Sequence, residues 1–278
     1  MPKTHGAGAS RTSCCRRSAL VAGVGALLAA CHSESSRSSA APAPSAAPAV
    51  SASPDDEPAL ETVTVFRRPE NQRGGVALVL LHGFGAAGDD LVSLAERLAR
   101  PGSRCFVPAA PLAQGVSGRA WWRFDEQRPA QVSDEQLPSG FHPHPQVLRV
   151  RRAVQRLLSD IRARYAPERL VLGGFSQGAM LSLDVALQAD PSVDRVAVLS
   201  GAMLADSLAA LQTPHPTRPR FFISHGRQDA ILPFAGAEHA CQMLEHHGYD
   251  LEFCPFEGGH QIPNEVTAAL GSFVFGGA

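Results

Sequence analysis

A serine, an aspartate and a histidine, each just past a β-rich run, are the residues of this 278-residue chain best placed to do chemistry. The serine lies in Gly174-Phe175-Ser176-Gln177-Gly178, which follows the apolar run Leu170–Gly174 and opens a helical stretch. A G-x-S-x-G sequence in that setting is a sharp strand-to-helix turn. The serine takes a strained backbone conformation there, and glycine on either side avoids collision with the neighbouring strand and helix. A hydroxyl is a weak nucleophile until a base takes its proton, and the base needs an acid partner to fix its tautomer. The chain supplies Asp229, four residues beyond the run Phe221–His225, and His260, five residues beyond Leu251–Pro255. Both lie in glycine-flanked loops, so Ser176 is expected as nucleophile, His260 as base and Asp229 as acid partner. The plainer alternatives are a turn-capping aspartate and an ordinary loop histidine. Other histidines are worse placed: His225 closes a strand, His239, His246 and His247 fall on a helix, and His215 lies in a proline-rich loop.

Attack on an acyl carbonyl builds negative charge on its oxygen, and each backbone N–H aimed at that oxygen is worth about 3 kcal/mol. The expected donors are Gln177, directly after the nucleophile, and Phe84 in His82-Gly83-Phe84-Gly85, where His82 reads as support for the loop. Lys3 is the sole lysine, which excludes a Ser–Lys dyad. His142 and His144 flank prolines with no Cys or carboxylate at ligand spacing, so no metal is expected. The absence of a G-x-x-x-x-G-K-[ST] run removes the nucleotide reading, and no cofactor is expected. A net charge of -1 with 18% charged residues gives no basic surface for nucleic acid.

The elements that must position these residues alternate. Runs expected as strands are Thr62–Val65, Val76–His82, Arg104–Val107, Leu170–Gly174, Val193–Leu199, Phe221–His225 and Leu251–Pro255. Helical stretches are expected at Asp90–Ala99, Gln146–Tyr165, Gln177–Gln188, Phe234–His247 and Pro263–Phe273. Near-continuous apolar strands point to a sheet covered on both faces, and the alternation points to an α/β class, a mostly parallel doubly wound sheet with helices on both faces. Ligands of such sheets bind beyond the carboxyl ends of the strands, where Phe84, Ser176, Asp229 and His260 fall.

Six segments taken in order carry a resemblance: Leu81-His82-Gly83-Phe84-Gly85, Trp122-Arg123-Phe124-Asp125, Gly174-Phe175-Ser176-Gln177-Gly178, Leu199-Ser200-Gly201, His225-Gly226-Arg227-Gln228-Asp229 and Gly259-His260. Together they resemble the phospholipase/carboxylesterase family, which includes the acyl-protein thioesterases, over roughly residues 62–276. The resemblance implies the α/β-hydrolase fold and a serine carboxylic ester hydrolase acting on small or acyl-chain esters. It implies the same roles for Ser176, Asp229, His260, Phe84 and Gln177. Two departures bear on substrate preference. Ala86-Ala87 stand where the family commonly has an Asp after the loop glycine, and the segment 118–145 carries a doubled Trp121-Trp122. Trp121, Trp122 and Phe124 are expected to line an acyl pocket, with ordinary packing as the alternative. Two other readings stay open: an acyltransferase using the same triad, and a non-catalytic binding lipoprotein of the cell envelope.

Before the folded part, residues 1–31 read as an export signal. Arg11, Arg16 and Arg17 precede an apolar run of about twelve residues, too short for a span that needs about 20. Its end, Leu28-Ala29-Ala30-Cys31, resembles the lipobox of bacterial lipoproteins, which implies lipidation at Cys31. Residues 32–59 form a Ser/Ala/Pro tether that cannot bury enough apolar surface to fold. The catalytic domain is expected over 60–278. The expected location is the bacterial cell envelope, lipid-anchored, on the outer membrane. Removing residues 1–30 leaves a net charge of about -5, so attachment would rest on the lipid rather than on electrostatics. Cys105, Cys241 and Cys254 remain in the domain. A 241–254 disulfide is disfavoured because helix and strand diverge from the turn near Gly248 by more than the roughly 4.4–6.8 Å a bridge spans.

Overall fold

Runs rich in Val, Leu, Ile and Phe supply strands whose two faces must both be covered. A computed structural model describes residues 58–67, 69, 71–124, 145–188, 193–213 and 218–276. Its strands are β1 (Thr62–Phe66), β2 (Val76–Leu81), β3 (Ser103–Pro108), β4 (Leu112–Gln114), β5 (Gly118–Ala120), β6 (Arg169–Phe175), β7 (Arg195–Leu199), β8 (Arg220–Gly226) and β9 (Leu251–Phe256). Seven of them form one sheet in the order β1-β3-β2-β6-β7-β8-β9. Only β1 runs antiparallel, against β3. The helices are α1 (Val92–Leu98), α2 (Pro145–Tyr165), α3 (Gln177–Leu187), α4 (Ala205–Leu211), α5 (Phe234–His246) and α6 (Asn264–Phe275).

Alternation along β2 shows how the sheet divides the core. Ala77, Val79 and Leu81 face a cluster with residues of α2, α3, α4 and α5, whereas Leu78 and Leu80 face one with residues of α1 and α6. This is the α/β-hydrolase-like arrangement, a mostly parallel sheet with helices on both faces. Every residue of α3 is buried, as its apolar circumference requires. Its one buried carboxylate, Asp184, meets Arg151 of α2, with Nε to Oδ2 at 2.6 Å. Cys105, Cys241 and Cys254 are buried with no disulfide among them, and Cys241 and Cys254 belong to the clusters on opposite faces of the sheet.

Two elements differ from the sequence expectation. The hairpin β4–β5 has three-residue strands with no alternating apolar pattern, and it exists by pairing: Gly85 N–H donates to Arg119 O and Arg119 N–H to Ala86 O, both at 2.8 Å. Helix α4 spans seven residues and is held by burial of Ser207, Leu208 and Leu211 rather than by a long periodic pattern. The export signal, Cys31, the tether up to residue 57, Asp125, His142 and His144 lie outside the described residues.

Candidate active site

Strand order places the site. The chain runs from β2 outward to β3 on one side, then crosses to β6 on the other, so the crevice of the sheet opens between the carboxyl ends of β2 and β6. The loop Gly83-Phe84 leaves β2 and the turn at Ser176 leaves β6. A Cβ placed at Gly83 would stand 3.4 Å from Ser176 Cβ, so the two loops touch.

Ser176 has φ 53 and ψ -118, a strained conformation at the N-terminus of α3. The strain is held from both ends: Ser176 N–H donates to Leu199 O at 2.9 Å, and Ser176 O accepts from Met180 N–H at 3.0 Å. Tight packing explains the flanking glycines. A Cβ at Gly174 would lie 2.4 Å from the Gly178 carbonyl, and one at Gly178 would lie 2.1 Å from Leu81 O. Neither contact can be relieved without moving backbone.

Asp229 and His260 come from the loops after β8 and β9, which are fastened by Arg227 N–H to Phe256 O and Gln228 N–H to Gly258 O, each 2.9 Å. His260 Nδ1 lies 2.7 Å from Asp229 Oδ2, and the carboxylate is fully buried. Asp229 Oδ1 accepts the amides of Ile231 at 2.8 Å and Leu232 at 2.9 Å. Burial pushes this carboxyl up, but the bonds from His260, Leu232 and Ile231 outweigh it and hold it below its ordinary value. With Nδ1–H committed to the carboxylate, the basic nitrogen of His260 is Nε2. The imidazole packs on Phe175, the residue before Ser176, with ring centroids 4.7 Å apart. No Ser176–His260 hydrogen bond forms among the described residues. Such bonds are often long in a resting site and tighten when substrate binds.

Phe84 N–H and Gln177 N–H are taken by no protein acceptor among the described residues, and the second lies at the positive end of α3. His82 is buried and supports the loop. Its Nε2 accepts from Ala110 N–H at 2.9 Å, which fixes the proton on Nδ1, and Nδ1–H donates to Gly83 O at 2.7 Å. Burial pushes its pKa down, partly offset by the Gly83 carbonyl, so the ring is neutral.

This arrangement meets a family model for phospholipases and carboxylesterases that matches residues 65–275. The chain belongs to the phospholipase/carboxylesterase family. Acyl-protein thioesterase 1 of Kluyveromyces lactis is 28% identical over 213 residues, 71% of this chain and 90% of that one. Acyl-protein thioesterase 1 of Gibberella zeae is 32% identical over 114 residues, 38% of this chain, which spans about half (48%) of that relative's length. The crystal structure of esterase PE8 superposes with a TM-score of 0.63 at 24% identity, covering 77% of this chain and 97% of that one, and so shares its fold.

Of the family's aromatic segment here, only one ring offers much surface. Phe124 is 46% exposed and packs at a tilt against Phe84, which is 39% exposed, with ring centroids 5.2 Å apart. Trp121 has no solvent-exposed surface and Trp122 is 5% exposed, and Trp121 borders a cavity lined also by Pro111, Leu112 and Val150. The Trp121 indole N–H donates to His82 O at 2.9 Å, which explains why the ring turns inward. Sequence reasoning also passed over His225. Its Nε2 lies 3.1 Å from Asp229 Oδ2 and 2.9 Å from Leu232 O, two acceptors, so Nε2 carries the proton. The cue was available, since His225, near the end of β8, lies only four residues before Asp229. Among the described residues no group of three or more His, Cys, Asp or Glu side chains could hold a metal ion.

Proposed function

We propose that this member of the family is a serine carboxylic ester hydrolase working through an acyl-enzyme. His260 Nε2 takes the proton of Ser176 as Oγ attacks the acyl carbonyl. Asp229 holds the imidazolium, and the Phe84 and Gln177 N–H groups meet the tetrahedral oxyanion. Collapse of the intermediate breaks the ester bond, and the alcohol or thiol leaves with the proton from His260. Water then repeats the sequence on the acyl-enzyme and frees the acid and Ser176. The observation that carries the reading is the 2.7 Å Asp229–His260 bond with its imidazole packed on the turn that strains Ser176. Substrates in this reading are small or acyl-chain esters, oxygen esters or thioesters, in keeping with the thioesterase names of the relatives. Ser176→Ala abolishes turnover of a short-chain p-nitrophenyl ester and labelling by a fluorophosphonate probe, with little change in melting temperature. Retention of more than a few per cent of activity refutes the mechanism.

We further infer an envelope location through a lipid on Cys31, supported by the apolar run ending in Leu28-Ala29-Ala30-Cys31 and by the absence of lysine after the leader. Mass spectrometry of the mature N-terminus is the test, and an unmodified residue produced by cleavage elsewhere removes the lipid.

A further inference from the structure

The two backbone donors of the proposed oxyanion site belong to different loops, yet one buried residue that does not react reaches both. This inference rests on the reading of Ser176 as nucleophile.

A peptide unit is planar and trans, so fixing its C=O fixes the direction of the N–H across the same bond. The Phe84 N–H shares a plane with the Gly83 carbonyl, which His82 Nδ1–H holds at 2.7 Å. The Gln177 N–H shares a plane with the Ser176 carbonyl, which Met180 N–H holds at 3.0 Å. Each plane is thus oriented within its own loop, and what remains is the spacing between the loops. Trp121 supplies the link. Its backbone N–H donates to Gln177 Oε1 at 2.9 Å, Gln177 Nε2 donates to Trp122 O at 2.7 Å, and the Trp121 indole N–H donates to His82 O at 2.9 Å. His82, Trp121 and Gln177 are all within 1% of complete burial, so no water competes for these bonds.

We propose that Trp121 is a positioning residue that sets the distance between the Phe84 and Gln177 N–H groups. It does so as a tether from the side chain of Gln177 to the backbone of His82. A ground-state ester carbonyl needs little of this spacing, whereas the oxyanion needs both donors at hydrogen-bond distance. Loosening the tether therefore lowers kcat and leaves KM nearly unchanged. A whole donor is worth about 100- to 1000-fold in kcat, and a displaced donor loses part of that, about tenfold.

The experiment compares wild type with Trp121→Phe, which keeps the ring and removes the indole N–H, with Gln177→Met, which keeps the backbone N–H and cuts the other end, and with the double variant. On a p-nitrophenyl butyrate assay each single variant loses about tenfold in kcat with KM within about twofold. The affinity for a trifluoromethyl ketone, which mimics the oxyanion, falls in proportion to kcat/KM. The acid limb of the pH profile stays in place, because Asp229 and His260 are untouched. The double variant loses less than the product of the singles, since a tether cut at one end carries nothing at the other. A natively folded Trp121→Phe enzyme with kcat within twofold of wild type overturns the inference, and so does a double variant equal to the product. If Trp121→Phe does not fold, Gln177→Met with unchanged kcat overturns it. Failure of the underlying mechanism is distinguishable, because Ser176→Ala would then keep its activity.

Discussion

Replacing Asp229 by Asn tests the proposed mechanism at one proton, and the structure dictates how the amide must sit. Asp229 Oδ1 accepts two backbone N–H groups, from Ile231 and Leu232, at 2.8 and 2.9 Å. Turning an NH2 toward them would set donor against donor twice, at about 1–3 kcal/mol for each buried group left unmade. The Asn carbonyl oxygen therefore keeps the Oδ1 position, and its NH2 takes the Oδ2 position, 2.7 Å from His260 Nδ1 and 3.1 Å from His225 Nε2, whose one N–H keeps Leu232 O as its acceptor at 2.9 Å. Facing a donor, His260 Nδ1 must accept, which moves its proton to Nε2, the nitrogen that has to take the proton of Ser176. The base is then present, placed and in the wrong tautomer. In serine enzymes of known mechanism the same change lowers kcat by about 10⁴, or about 5.5 kcal/mol of barrier. The expected result is a loss of that order in kcat for a p-nitrophenyl ester, with KM within a few-fold and circular dichroism of the native fold. Asp229→Ala frees the imidazole to choose its tautomer, so the isosteric Asn variant should be no more active than the Ala variant. An Asn enzyme within tenfold of wild-type kcat refutes the assignment of Asp229 and the tautomer argument together.

Other expectations follow from groups around the site. Arg151→Ala strips the fully buried Asp184 carboxylate of its 2.6 Å partner and should cost about 3–5 kcal/mol of stability in urea unfolding at pH 7. Burial pushes the Asp184 carboxyl up and Arg151 opposes that, so without the arginine it protonates more readily and the penalty shrinks as pH falls; a pH-independent loss below 1 kcal/mol contradicts the buried pair. His82 has its pKa pushed down, so below about pH 6.5 the unfolded chain binds a proton that the folded one refuses. Stability should therefore decline from pH 7 toward 5.5, by at most about 1.4 kcal/mol per pH unit from this group. His82→Asn, whose amide can still donate to Gly83 O, should flatten that slope, and an unchanged slope would assign it to other groups.

What could be read in the sequence, and what could not, divides by how far each residue's constraint reaches. Ser176 is visible because its strain is local: Gly174 and Gly178 are needed within two residues of it, since a Cβ at either would meet backbone at 2.4 or 2.1 Å. The central strands β2, β3, β6, β7 and β8 are visible because their apolar runs are buried on both faces, and the order of loops along the chain then aligns Phe84, Ser176, Asp229 and His260 at one end of the sheet. In the sequence Trp121 reads as an aromatic of a pocket wall or of ordinary packing. Its position is decided by Gln177 and His82, which lie 56 and 39 residues away, and no local pattern encodes those bonds. The β4–β5 hairpin escaped notice for the same reason, being held by residues 85 and 86 rather than by its own alternation. In the sequence His225 ends its strand too early to stand in the loop beyond it. It is buried, and burial brings its Nε2–H to the carboxylate that His260 also uses. Reacting groups announce themselves through the special backbone they require, whereas the residues that space them are ordinary core residues whose bonds cross the chain. A substitution such as Trp121→Phe, conservative as a sequence change, should therefore cost more activity than its chemistry suggests.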